Sequence, residues 1–165
     1  MIQPESHART FAGNALNWVS KLDLLSFSAL MGLAAVVARL PVAARYSIPQ
    51  DSGSLELFGM QLPYAIAAFL IFPVIETALG QWLPVRLVSY LGFGKTAQVV
   101  VSAFAFCLLH LWNWTGAVTA FLPGLVLAYA YITWEHRART QAFWVTVLAH
   151  AWEMLFVVGL RALRL

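Results

Sequence analysis

Residues 62–83, LPYAIAAFLIFPVIETALGQWL, form a long apolar run that contains a single acidic side chain, Glu76. A helix needs about 20 apolar residues to cross a bilayer core about 30 Å thick. The run therefore predicts a membrane-spanning helix, with Pro73 bending it just before Glu76 and Pro84 ending it. An ionised carboxylate at this depth costs about 2.5 to 3.5 kcal/mol on insertion scales. Glu76 must therefore stay protonated or face a wet cavity and a partner.

The composition of the whole chain also points to a lipid environment. Of the 165 residues, 61% are hydrophobic and 10% are charged, and the mean hydropathy is +0.76. A soluble domain carries about 25% charged residues, so the outer surface of this chain must face the lipid bilayer instead of water. The net charge of +3 is scattered along the chain, which argues against a nucleic-acid partner. Cys107 is the only cysteine, and this excludes an internal disulfide and a multi-thiolate metal site.

Four more apolar runs have the length of a membrane span. They cover residues 24–42, 97–114, 117–134 and 141–160. The predicted fold class is therefore all-α, a polytopic transmembrane helical bundle of about five spans. Residues 1–23 are predicted to form a polar or amphipathic N-terminal segment in the cytoplasm. Residues 24–165 are predicted to form a single membrane-embedded domain.

The distribution of basic residues predicts the orientation, because Lys and Arg collect on the cytoplasmic side of membrane proteins. With five spans, six of the ten basic residues lie on the same side as the N-terminus and four on the other. We therefore expect an integral protein of a bacterial inner membrane with its N-terminus in the cytoplasm. Arg39, near the end of the first run, is expected to snorkel towards the lipid headgroups.

Two other spans also carry an ionisable side chain. His110 lies in the third run, within FAFCLLHLWNW, and His150 lies in the fifth, within VTVLAHAWEML. Each alone is readily explained by a hydrogen bond between neighbouring helices. Three such groups on three helices would each carry an insertion penalty, and one shared polar site lowers all three penalties. We therefore expect Glu76, His110 and His150 to meet.

Helical spacing adds two polar neighbours, since residues three or four apart share a face. Glu153 follows His150 by three residues, so it either orients the imidazole by accepting its N–H or makes a separate polar contact between helices. Asn113 follows His110 by three residues, but it lies near the membrane interface, where a solvated or loop-capping role is expected.

Three kinds of chemistry use one glutamate and two histidines. In the first, the carboxylate takes a proton from a water that attacks a peptide carbonyl, while the histidines hold the water and the oxyanion. In the second, Glu76, His110 and His150 bind zinc, although the usual HExxH spacing is absent and no cofactor is favoured. In the third, they relay protons in a transporter, although the chain is short and has no inverted repeat.

The order of the motifs resembles that of the CPBP intramembrane proteases, which include the type II CAAX prenyl endopeptidases. That family carries EExxxR, then FxxxH, then HxxxN, and the resemblance here covers residues 62–160. It implies that Glu76 activates water, that His110 of the FxxxH match beginning at Phe106 contacts the same water, and that His150 serves the oxyanion site.

Three positions depart from these motifs. Thr77 occupies the position of the second glutamate in the family motif, and Gln81 occupies the position of its arginine. An acid and a base are therefore absent together, and no unpaired charge is left in the membrane. Met154 stands at the asparagine and cannot donate a hydrogen bond. His150 would then serve the oxyanion alone, or with help from protonated Glu153 or from Asn113.

The resemblance implies a glutamate-type intramembrane endopeptidase. Its expected partner is a membrane-anchored protein or peptide substrate, cut at a membrane-proximal or C-terminal segment. The alternative is a catalytically inactive relative that binds a membrane peptide as an immunity or scaffold protein. Loss of the motif asparagine at Met154 is the feature that favours this alternative.

Overall fold

The structure is a computed structural model, and it describes residues 21–46, 67–112 and 114–162. Five helices and no strand occur among these residues. The helices are α1 (Leu24–Tyr46), α2 (residues 67–90), α3 (Lys95–Leu108), α4 (Trp114–Glu135) and α5 (Arg139–Ala162). The predicted all-α bundle is therefore confirmed. Most of the predicted N-terminal segment, residues 1–20, lies outside the described residues.

Three helical segments are long and apolar enough to cross a membrane, by length and composition. They are Leu24–Val42 in α1, Trp114–Glu135 in α4 and Arg139–Leu160 in α5. Helix α3 is apolar but shorter. The chain is therefore an integral membrane protein, while the figure of five spans is approximate.

Helix α1 begins with an aspartate cap. The Ser26 backbone N–H donates to Asp23 Oδ1 at 2.9 Å, and the Ser26 hydroxyl donates to Asp23 Oδ2 at 2.8 Å. Both bonds stabilise the ionised carboxylate and so lower the pKa of Asp23 below its ordinary value, the backbone bond most strongly. Asp23 therefore caps the helix formed by the first apolar run, and this helix begins at Leu24.

Helix α2 alternates between π and α segments. Its four parts are π-helical Ala67–Ile71, α-helical Phe72–Thr77, π-helical Ala78–Trp82 and α-helical Leu83–Tyr90. The Leu83 N–H donates to the Ala78 carbonyl, five residues back, and the helix continues through Pro84. The expectation that Pro84 ends the helix was therefore wrong. Proline is tolerated in the first turn of a helical segment because that position needs no N–H donor, and the π turn places Pro84 there.

Helix α3 ends earlier than the sequence predicts, at Leu108 instead of residue 114. The His110 N–H donates to the Cys107 carbonyl at 2.9 Å, a tight turn that closes the helix. His110 was expected within the third helix, and it lies instead in the turn that follows it.

The described helices pack through fully buried aromatic and aliphatic side chains. Helix α1 lies against α4 and α5, and α3 lies against α4 and against α2. Phe27, Phe106, Leu127 and Tyr131 have no exposed surface. The Phe27 ring packs on Trp134 with the centroids 4.9 Å apart.

Gly32 lets α1 approach α5 closely, and we expect Gly32→Ala to destabilise the bundle. A Cβ at this position would lie 2.6 Å from Trp152 Cβ and 2.7 Å from the Ala149 carbonyl oxygen. Overpacking of this kind costs about 1 to 3 kcal/mol. The measurement is reversible unfolding in mixed micelles. Gly159→Ala in α5 is the matched control, because no atom lies within 4 Å of its Cβ, and equal losses in the two variants would contradict the prediction.

Candidate active site

Glu76 lies in the short α segment between the two π turns of α2. Pro73 before Glu76 and Pro84 after it have no backbone N–H to donate. In addition, π turns often occur at functional sites. The Glu76 side chain is 21% exposed, so it is neither sealed in the core nor open to the surface. The carboxylate is therefore partly accessible from outside the bundle.

Glu76 and His150 are brought together across α2 and α5. His150 Nε2 lies 3.2 Å from Glu76 Oε2, and the His150 side chain is 5% exposed. His150 Nδ1 is buried and has no hydrogen-bond partner among the described residues. The imidazole is therefore held through Nε2, and Glu76 is the group that holds it.

The Phe106 ring packs against both His110 and His150. Its buried ring lies with its centroid 4.9 Å from that of His110 and 5.3 Å from that of His150. His110 Nδ1 lies 2.9 Å from the Phe106 carbonyl oxygen, which can only accept a hydrogen bond, so Nδ1 carries the proton. The neutral His110 ring then has a free lone pair on Nε2. The ring also stacks on Trp112 with the centroids 5.2 Å apart.

Arg39 and Glu153 form an ion pair beside the site. Arg39 Nη2 lies 2.8 Å from Glu153 Oε1, and Glu153 is 1% exposed while Arg39 is 27% exposed. Arg39 was expected to snorkel, but it turns inwards instead, because an opposite charge in the bundle lowers the cost of keeping both ions there. Glu153 therefore contacts Arg39, and the alternative in which it orients His150 is not observed.

The sequence analysis placed Arg39 at the headgroups and so missed its ion pair with Glu153. The available signal was a lone guanidinium inside an apolar run, which marks a functional position in a membrane helix.

Thr77 and Gln81 are fully buried on α2. The Thr77 hydroxyl and both amide atoms of Gln81 have no hydrogen-bond partner among the described residues. Met154 is half-buried, and Asn113 lies outside the described residues.

No group of three or more His, Cys, Asp or Glu side chains is arranged to hold a metal ion within residues 21–46, 67–112 and 114–162. For the zinc alternative, Glu76 and His150 are close enough to share an ion. His110 instead contacts Phe106 and Trp112.

The family described as Type II CAAX prenyl endopeptidase Rce1-like matches residues 58–155, more than half of the chain. The matched region contains Glu76, Phe106, His110 and His150. Comparison with curated proteins and with solved structures gave no match.

Proposed function

The chain belongs to the Rce1-like family of type II CAAX prenyl endopeptidases, and from this we propose that it is a glutamate-type intramembrane endopeptidase. The family is a protease family. The single observation that carries the proposal is the 3.2 Å contact between Glu76 and His150 inside the bundle. It places a proton acceptor next to a hydrogen-bond donor in a region of low dielectric, where both act strongly.

In the proposed reaction, Glu76 takes a proton from water as the water oxygen bonds to the peptide carbonyl carbon. The free Nε2 of His110 accepts a hydrogen bond from the same water and orients it. Once Glu76 holds this proton, the His150 Nε2–H is released from the carboxylate and donates to the oxyanion of the tetrahedral intermediate. The proton held by Glu76 then passes to the amide nitrogen as the C–N bond breaks. This leaves a carboxylic acid and an amine as products.

We propose a membrane-anchored protein or peptide as the substrate, cut at a membrane-proximal or C-terminal segment. Helix α2 supports this, because the helix that carries Glu76 also presents large apolar side chains outwards. Those more than about two-fifths exposed include Leu70, Ile71, Phe72, Ile75, Leu79, Trp82 and Leu83. An apolar substrate segment can therefore approach Glu76 without leaving lipid. We further propose a bacterial inner membrane and a cytoplasmic N-terminus.

The alternative is an inactive family member that binds a membrane peptide. The observation that favours it is Met154, a side chain without a strong hydrogen-bond donor at the motif asparagine. A binding protein of this kind would not depend on the Glu76 carboxylate for its function.

The test is a comparison of protein C-termini in membranes from a deletion strain and from strains that express the chain or a variant. The peptidase should generate new C-termini that disappear in the deletion strain and in the variants Glu76→Ala, His110→Ala and His150→Ala, at equal expression. Activity that survives in all three variants would contradict the peptidase proposal. Loss of cleavage on chelation, restored by zinc, would favour the zinc alternative.

A further inference from the structure

Pro84 leaves one backbone carbonyl of α2 without its usual donor. Proline has no N–H, so Pro84 cannot donate to the carbonyl four residues back, at Gly80, or to the carbonyl five residues back, at Leu79, which is the spacing of the π segment. The Ser102 hydroxyl, on α3, donates to the Gly80 carbonyl oxygen at 2.7 Å. Ser102 is fully buried. A side chain from the neighbouring helix therefore supplies the donor that Pro84 lacks.

Gly80 and Ser102 lie at a close contact between α2 and α3. A Cβ on Gly80 would lie 2.9 Å from Phe106 Cδ2 and 3.3 Å from Phe106 Cα. Because helical residues four apart share a face, Glu76 lies one turn before Gly80 and Phe106 one turn after Ser102. The hydrogen bond thus joins the helix of Glu76 to the helix of Phe106.

This bond lies one helical turn from the residues that contact the two imidazole rings. Phe106 contacts both imidazole rings, and Glu76 contacts His150. A shift of α2 along α3 would change the distance from Glu76 to both histidines. A π segment interrupts the regular i to i+4 bonding of a helix, so a contact with a neighbouring helix can fix its position.

We propose that Ser102 is a positioning residue, whose hydrogen bond to the Gly80 carbonyl fixes the register of α2 against α3 and so sets Glu76 relative to His110 and His150. The effect on catalysis rests on the proposed peptidase function. The effect on geometry does not, and it can be measured in a protein that cleaves nothing.

The geometric test uses isotope labelling. Gly80 is the only glycine in the chain that is followed by glutamine. Carbonyl-¹³C glycine with ¹⁵N glutamine therefore gives one cross-peak, from Gly80 and Gln81. Ser102→Ala should move this peak and also the His150 side-chain ¹⁵N signals. Ser28→Ala is the matched control, because the buried Ser28 hydroxyl donates to the Leu25 carbonyl within its own helix, and both signals should stay in place.

The kinetic test is a double-mutant cycle with Pro84. Ser102→Ala should lower kcat by about tenfold to 100-fold with little change in KM, because a small misplacement of catalytic groups costs this much. Pro84→Ala restores a backbone N–H that can reach Gly80, so Ser102→Ala should matter several-fold less in that background. Ser102→Cys keeps the size but not the strong donor, and it should resemble Ser102→Ala.

The outcomes separate the two proposals. An unmoved Gly80 peak in Ser102→Ala, or equal kinetic losses with and without Pro84, would overturn the positioning role. If the wild-type chain shows no cleavage but Ser102→Ala still moves both signals, the result would support the positioning role and count against the peptidase.

Discussion

Glu76→Gln is expected to lower kcat by at least about 100-fold, because general base catalysis contributes about 10² to 10⁴ in rate. Glutamine keeps the size of the side chain and its hydrogen bond to His150, but it cannot take a proton from water at neutral pH. KM should change little, since the change removes a proton acceptor and not a binding surface. The measurement is cleavage of a substrate identified from membrane C-termini, with the purified chain in liposomes.

Glu135→Gln is the matched control for this result. Glu135 is 20% exposed, close to the 21% of Glu76, and it is paired with Arg86 at 2.9 Å. It lies at the end of α4, where His136 contacts Lys95 at the start of α3, and His110 follows the other end of α3. Its variant should therefore cleave at the wild-type rate. Both variants should unfold within a few degrees of wild type. A folded Glu76→Gln protein with near-normal kcat would rule out Glu76 as the base.

Hydropathy predicted most of the fold because lipid forces long apolar runs into helices. The first run was expected from residue 24, and α1 begins at Leu24. The composite form of α2 could not be predicted in the same way. Proline removes one donor, but the surrounding chain decides whether the helix stops or absorbs the loss in a π turn, and this depends on contacts such as that of Ser102 with Gly80.

The proximity of Glu76 and His150 followed from the cost of isolated polar groups in lipid, and the structure places them 3.2 Å apart. The roles assigned to the site residues stay predictions. The position of Arg39 could not be derived, because near a span end a guanidinium can reach either the headgroups or a buried acid. Its partner Glu153 lies on a helix far along the chain, and hydropathy does not show which faces of two helices meet.

Arg39→Met is expected to lower the free energy of unfolding by about 3 kcal/mol, because removing one partner of a buried ion pair leaves the other charge uncompensated. Glu153 has almost no exposed surface, so water cannot replace the guanidinium. The double variant Arg39→Met with Glu153→Met should recover most of the loss, since apolar side chains of similar volume replace buried ion pairs at little cost.

Arg86→Met tests whether burial of the ion pair causes the loss of stability expected for Arg39→Met. Arg86 and Glu135 also form a close pair, at 2.9 Å, but their side chains are 32% and 20% exposed at the end of the bundle. Exposed pairs contribute about 0 to 1 kcal/mol, so this variant should lose much less stability than Arg39→Met. The measurement is reversible unfolding in mixed micelles for all four proteins, including the double variant. Similar losses in Arg39→Met and Arg86→Met would mean that Glu153 is neutral or hydrated, and the pair would then contribute little to holding α1 against α5.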